Sequence, residues 1–118
     1  MRNIDGRNSA DREESSELSE FGRFLEPALL IMVSLAEGPK HGYAVMDETR
    51  RLSGVQLGPG TLYGALARLE RRRLIEPLPS TDRRRPYRLT PTGSRLLEAE
   101  LARMRDLIQL GLRRLASA

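Results

Sequence analysis

Helical periodicity interrupted by one short hairpin predicts a mainly α fold. Three observations carry that prediction. Apolar residues recur at helical spacing in four stretches of the chain. Two short extended runs, bounded by prolines and joined by a polar tip, lie between the third and the fourth. Gly, Pro, Ser and Thr stand where those stretches start and stop. The order helix, helix, turn, helix, hairpin, helix is that of a winged helix-turn-helix, with three helices plus a two-stranded wing, followed here by a long C-terminal dimerisation helix.

The first helix is expected from Phe24 to Ala36, with Pro27 in its first turn, where a missing N–H costs little. Its residues Leu29 to Val33 and Leu35 cover nearly the whole circumference, so it is buried on most sides. In so small a chain that suggests cover from a second subunit, at Leu29 and Met32. Glu37-Gly38-Pro39 ends it. The second helix runs from Gly42 to Leu52 on a narrow stripe of Val45, Met46, Thr49 and Leu52. Gly58 caps the third helix, Pro59 opens it, and it reaches Arg73. On a helical wheel Leu62, Leu66 and Leu69 fall together on the core side, within about 60° of one another. Thr61, Gly64, Ala67, Arg68 and Arg71 face the other way, flanked by Tyr63 and Glu70. Leu74–Pro79 and Pro86–Thr90 form the hairpin; its prolines mark both as edge strands. Thr90 caps the last helix, which runs to Leu115. There Leu97, Leu101, Met104, Ile108 and Leu115 recur at spacings of four and three, with Gly111 in the vacant slot, as in a coiled-coil seam. The chain thus divides into a flexible N-terminal arm (1–20), a winged-helix DNA-binding body (21–90) and a dimerisation helix (91–118).

The 118 residues suffice for one domain. The net charge is +4, unevenly spread. Residues 1–20 carry three arginines against six carboxylates, whereas positions 68–88 carry eight arginines against three. Such a cluster suits a polyanion, although charge runs also serve simply to solvate a face. A helix that reads the major groove needs small residues where the backbone nears the bases and long donors beside them. Gly64 and Ala67 are small; Arg68, Arg71 and Arg72 are long. Glycine in a helix interior costs about 1 kcal/mol relative to alanine, which favours close approach over accident at Gly64. Arg83, Arg84 and Arg85 at the hairpin tip would meet phosphates or the minor groove.

Three segments resemble the PadR-type regulators. Glu37-Gly38-Pro39-Lys40-His41-Gly42-Tyr43 is similar to the family's EGPxHGY turn. The run from Gly58 to Glu70, GPGTLYGALARLE, resembles its SPGTLYPALxRLE recognition helix. Arg85 to Gly93, RPYRLTPTG, resembles the end of its wing. The resemblance spans Leu25 to about Leu97. It implies a dimeric winged-helix transcriptional regulator, commonly a repressor relieved by small phenolic or aromatic ligands. It puts Thr61 on phosphate, the Tyr63 hydroxyl on the backbone and Arg68 on bases or phosphate. Lys40 and His41 are further DNA-binding candidates, although a lone histidine beside a turn is more often structural, capping the second helix or donating to the backbone. Gly58 departs from the family's Ser and Gly64 from its Pro. The single C-terminal helix is similar to the short subfamily. Some short members hold flat drugs between aromatic rings at the dimer interface. Here there is no tryptophan and few aromatics, so no effector is identified.

Other functions find little support. With no cysteine and one histidine, no metal or cofactor is expected, and Ser53 and Ser94 lack a plausible base, so no enzyme is expected. No segment is apolar enough for a signal peptide or a membrane span, so the expected place is the cytoplasm. The expected partners are a pseudo-palindromic double-stranded operator and a second copy of the chain. The alternative is a winged helix used for protein–protein contact. That use would not need an arginine-rich outer face and tip. Scarce aromatics argue against stacking on single strands.

Overall fold

The computed structural model describes residues 26–54, 56–81 and 84–118. The expected N-terminal arm and Arg83 lie outside the described residues; the first helix, expected from Phe24, opens at Pro27 after an extended Glu26. Within them the order is α1 (Pro27–Leu35), β1 (Lys40–His41), α2 (Gly42–Ser53), α3 (Pro59–Arg71), β2 (Ile75–Pro77), β3 (Pro86–Leu89) and α4 (Pro91–Ser117). This is the mainly helical winged fold that the pattern predicts.

Helix α1 is the hub. Leu30, Ile31, Met32, Ser34 and Leu35 are all buried. The helix touches α2, α3, α4 and β3. Its all-round apolar surface is therefore covered mostly by its own chain, which corrects the expectation that a second subunit must do so. Leu29 and Val33 are left half-buried at its margin. Val45 and Thr49 of α2 and Leu62, Ala65, Leu66 and Leu69 of α3 close the core from the other side. Leu52, expected on the stripe of α2, is exposed in the last turn. Gly54 then ends the helix in the left-handed region at φ 73°, its N–H donating to the Arg50 carbonyl at 2.8 Å.

The wing has one strand more than expected. β1 pairs with the outer side of β3, giving the antiparallel order β1-β3-β2 with Lys40 opposite Tyr87 and Glu76 opposite Arg88. Hence β3 is a central strand, not an edge. Pro86 is tolerated because it is the first residue of the strand. Two residues, Lys40 and His41, are too short a run to show as a strand in any periodicity.

That third strand also settles where Lys40 goes. Its ammonium donates to the Ser34 carbonyl at 2.8 Å and to Glu48 Oε1 at 2.6 Å, and it pairs with Glu37 Oε1 at 2.5 Å. The side chain is 15% exposed. All three donors are used within the chain, so Lys40 is a strap between α1 and α2 rather than the free DNA-facing cation expected. Burial opposes its charge, but Glu37 and Glu48 outweigh that and raise its pKa. Hydrogen bonds from Lys40 and Ser34 lower that of Glu48. His41 is half-buried in the strand, opposite Pro86, and its side chain does not cap α2. Its Nδ1 is buried without a hydrogen-bond partner among the described residues.

The end of α3 is welded to the start of α4. Leu74 N donates to Leu69 O at 3.0 Å and Arg73 N to Glu70 O at 2.9 Å, a Schellman closure. The left-handed position of that motif is held by Arg73 at φ 59°, where glycine is usual. Thr90 Oγ1 donates to the Arg73 carbonyl at 2.7 Å and accepts from Gly93 N at 3.0 Å, while Thr90 N donates to Leu74 O at 3.1 Å. A Cβ on Gly93 would fall on the Leu74 carbonyl, 2.9 Å from its carbon. Leu97 completes the joint in the core at 5% exposure.

Two predictions follow from these contacts. At the joint, Gly93→Ala should lower stability by about 3 kcal/mol, because backbone must move. Arg73→Gly should raise it by about 1 kcal/mol by relieving the left-handed arginine. Thermal melting of both variants checks the pair; the same sign for both would contradict this reading of the joint. In the strap, Lys40→Gln should cost about 2 kcal/mol at neutral pH. Glu48 has a lowered pKa when folded, so its contribution is present above the unfolded glutamate range and is lost as pH falls through the folded value. The gap between wild type and Lys40→Gln in denaturant titrations should therefore narrow in acid.

Candidate nucleic-acid interface

Helix α3 presents its two faces as the wheel arranged them. Leu62, Leu66 and Leu69 are buried, whereas Thr61, Tyr63, Ala67, Arg68, Glu70 and Arg71 are exposed and Gly64 is half-exposed. The helix can turn this face outward because the other face seals the core. Arg72 follows as its C-cap and is also exposed. Arg84 and Arg85, the first described residues after the wing tip, are exposed as well.

The arginines of the molecule sort by partner. Arg50 and Arg51 both sit on Asp47, at 3.0 and 3.4 Å. Arg88 reaches Glu76 across the wing at 3.3 Å, and Arg103 pairs with Glu100. Arg68, Arg71, Arg72, Arg84 and Arg85, like Arg73, Arg95, Arg113 and Arg114, pair with no carboxylate among the described residues. Positive charge left uncompensated on one surface raises the local concentration of anions there. Gly64 has the space that a reading helix needs. A Cβ on it would meet only Arg68 Nη1, at 3.7 Å, so nothing inside the chain demands glycine.

Tyr63 is placed by two neighbours the sequence does not reveal. A Cβ on Gly42 would stand 3.0 Å from Tyr63 Cε1 and 3.3 Å from its hydroxyl oxygen, so the ring lies across the first residue of α2. Tyr87 of β3 is close enough to sense both side chains on α3. Burial, then the Glu70 carboxylate and Tyr63, raise its pKa, and Arg85 pulls the other way. The wing and α3 thus share one edge. The sequence signal for Gly42 was faint: a glycine at a helix start where alanine would serve.

The residues expected at a dimer seam divide. Met32 and Leu97 are in the core of the chain itself, at 4% and 5% exposure, because α1 and the first turns of α4 pack on one another. Leu101, Ile108 and Leu115 are exposed, and Leu29 and Met104 are half-buried. Beyond Leu97 no residue of α4 is buried. A groove of about 520 Å³ runs between α1 and α4, floored by Leu29, Met32, Leu96, Leu97 and Met104.

No group of His, Cys, Asp or Glu among the described residues is arranged to hold a metal ion. No helix among them is long and apolar enough to cross a membrane.

Comparison with known proteins agrees with this architecture. Residues 31–99 match the model of the transcriptional regulator PadR-like family. A PadR family transcription regulator from hypervirulent Clostridium difficile R20291 superposes with a TM-score of 0.68 at 29% identity, covering 75% of this chain and 97% of that one. A PadR family transcriptional regulator from Eggerthella lenta DSM 2243 gives a TM-score of 0.68 at 28% identity, over 91% of this chain and 95% of that one. A 37.1 kDa protein in transposon TN4556 of Streptomyces fradiae is 53% identical over 72 residues, 61% of this chain. The chain spans about a fifth of that relative's length, 21%. With the family model matched over more than half its length and the winged fold shared with two solved members, this chain belongs to the PadR-like family of DNA-binding transcriptional regulators.

Proposed function

We propose that this chain is a repressor that acts as a homodimer, with α3 in the major groove of a pseudo-palindromic operator and the wing on the adjacent backbone or minor groove. The observation that carries the reading is the set of exposed arginines on α3 and the wing without carboxylate partners, beside a glycine that no contact among the described residues demands. Thr61 and Tyr63 contact phosphate at the start of α3, Arg68 and Arg71 reach base edges past Gly64, and Arg72 anchors the backbone. Arg84 and Arg85, with Arg83 beside them, hold the wing to the neighbouring phosphates. Lys40 and His41 add no direct contact, being held within the fold.

Dimerisation falls to the outer part of α4. Leu101, Met104, Ile108 and Leu115 form the seam, with Leu96, Leu107 and Leu112 widening it and Leu29 at its margin. Fully burying each leucine is worth about 1.5–3 kcal/mol, which a helix projecting into solvent forgoes without a partner. A two-fold pair sets its α3 helices about one DNA turn apart, ~34 Å.

Gel shifts over a salt series should give a steep negative slope of log affinity against log salt. A flat slope would leave the protein–protein reading instead. On a selected operator, Arg68→Ala should cost about 1–3 kcal/mol and relax preference at one position, while Arg84→Ala should weaken every duplex alike and flatten the slope. Equal losses on all duplexes for both variants would refute that division. Leu101→Asp, checked by circular dichroism for an intact fold, should sediment as a monomer. A dimer that survives it would put the seam elsewhere.

A further inference from the structure

An exposed tyrosine ordinarily gives up rotamer freedom when it binds a partner. Tyr63 is 51% exposed, yet its ring already has a seat. That seat is the first residue of α2. A Cβ on Gly42 would stand 3.0 Å from Cε1, 3.3 Å from the hydroxyl oxygen and 3.5 Å from Cζ. A methyl group at position 42 would press the ring outward by a few tenths of an ångström.

Nothing else in the chain asks for glycine at position 42. Its φ is not in the left-handed region, unlike those of Gly38 and Gly54. Gly93 also has a crowded Cβ position, but there the obstacle is the backbone of Leu74, so that glycine holds the fold together. At Gly42 the only obstacle is the ring of one side chain, half in solvent and free to move aside. At the first position of α2 alanine would serve the helix as well as glycine. Glycine therefore brings α2 no benefit of its own. Its effect is on Tyr63.

We infer that Gly42 is a positioning residue for DNA recognition, seating the Tyr63 phenol against α2 so that its hydroxyl meets the DNA backbone without a rotamer search. The inference rests on α3 being the recognition helix. It links the two helices of the helix-turn-helix: α2 supplies no side chain at this point, and by supplying none it fixes where a side chain of α3 stands. Preorganisation of this kind raises affinity by reducing the ordering cost, without any new contact.

The test uses Gly42→Ala, Tyr63→Phe and the double variant of the full chain. The probe is a duplex selected by the wild-type protein from a random-sequence pool. Gly42→Ala should keep or raise the Tm and weaken binding by about threefold to tenfold, the scale of one hydrogen bond. In the Tyr63→Phe background the same substitution should change nothing, because the hydroxyl it displaces is gone. Equal losses in both backgrounds would mean that Gly42 meets DNA itself, and would overturn the inference. So would no loss in either.

A second readout needs no DNA. In the free protein, Gly42→Ala should shift the Tyr63 ring resonances while the methyl resonances of α4 stay in place. Unmoved Tyr63 resonances would overturn the seat even if the wild type binds DNA well. Should the wild type bind no duplex in a salt-dependent way, the recognition reading itself fails and the inference falls with it. The shifted ring would then remain a packing contact only.

Discussion

The burial of α1 is the constraint on which the other elements depend. A nine-residue helix that is apolar nearly all round has no side to give to water. Helices α2, α3 and α4 and strand β3 all pack against it, and no other helix meets so many elements. Each of these elements therefore buries one face on α1 or its neighbours and turns the other out. The outward face of α3 is basic, and that of α4 is apolar. These two surfaces follow from one packing requirement, met with different residues. The polar exceptions within it, Ser34 and Thr49, are both satisfied by hydrogen bonds: Ser34 through the Lys40 strap and Thr49 through the Met46 carbonyl at 3.0 Å.

Much of this was legible in the sequence where the pattern is long. The wheel of α3 separated Leu62, Leu66 and Leu69 from Thr61, Arg68 and Arg71 correctly, because thirteen residues sample each face several times. Pro59 and Pro91 marked two helix starts, since proline at the first position carries its own geometry, whereas the first helix was expected to start three residues before Pro27. What stayed hidden was whatever depends on contacts between distant segments. A strand of two residues has no period, so β1 and the central place of β3 did not show. Lys40 looked like one more cation of a basic protein, because its acceptors come from α1, the turn and α2. Nor does composition reveal that Met32 and Leu97 spend their apolar surface inside the chain, leaving Leu101, Met104 and Ile108 to face outward.

The pairing of charges follows the same division. Carboxylates neutralise Arg50 and Arg51 on α2, Arg88 in the wing, and Arg103 and Arg105 on α4. Around α3 they are sparse. Glu70, the one acidic residue on that helix, is among the groups that influence Tyr87. Exposed ion pairs add little to stability, about 0–1 kcal/mol each. Leaving Arg68, Arg71 and Arg72 without them therefore costs the fold almost nothing, and it keeps those guanidinium groups available to an outside anion.

The joint between Leu74, Thr90 and Gly93 makes a mechanical unit of two helices with different tasks. Because the carbonyl of Leu74 occupies the place where a side chain at Gly93 would begin, α3 and α4 cannot pivot on each other there. Helix α4 is 27 residues long, so it acts as an arm of about 40 Å fixed at one end. Turned by about 5°, its far end sweeps about 3 Å. Read the other way, the arm divides displacement down: a shift of several ångströms at its tip rotates the recognition surface by only a few degrees. In a pair of such chains the distance between the two reading helices is thus a gauge of how the arms cross, with little slack between the gauge and what it measures.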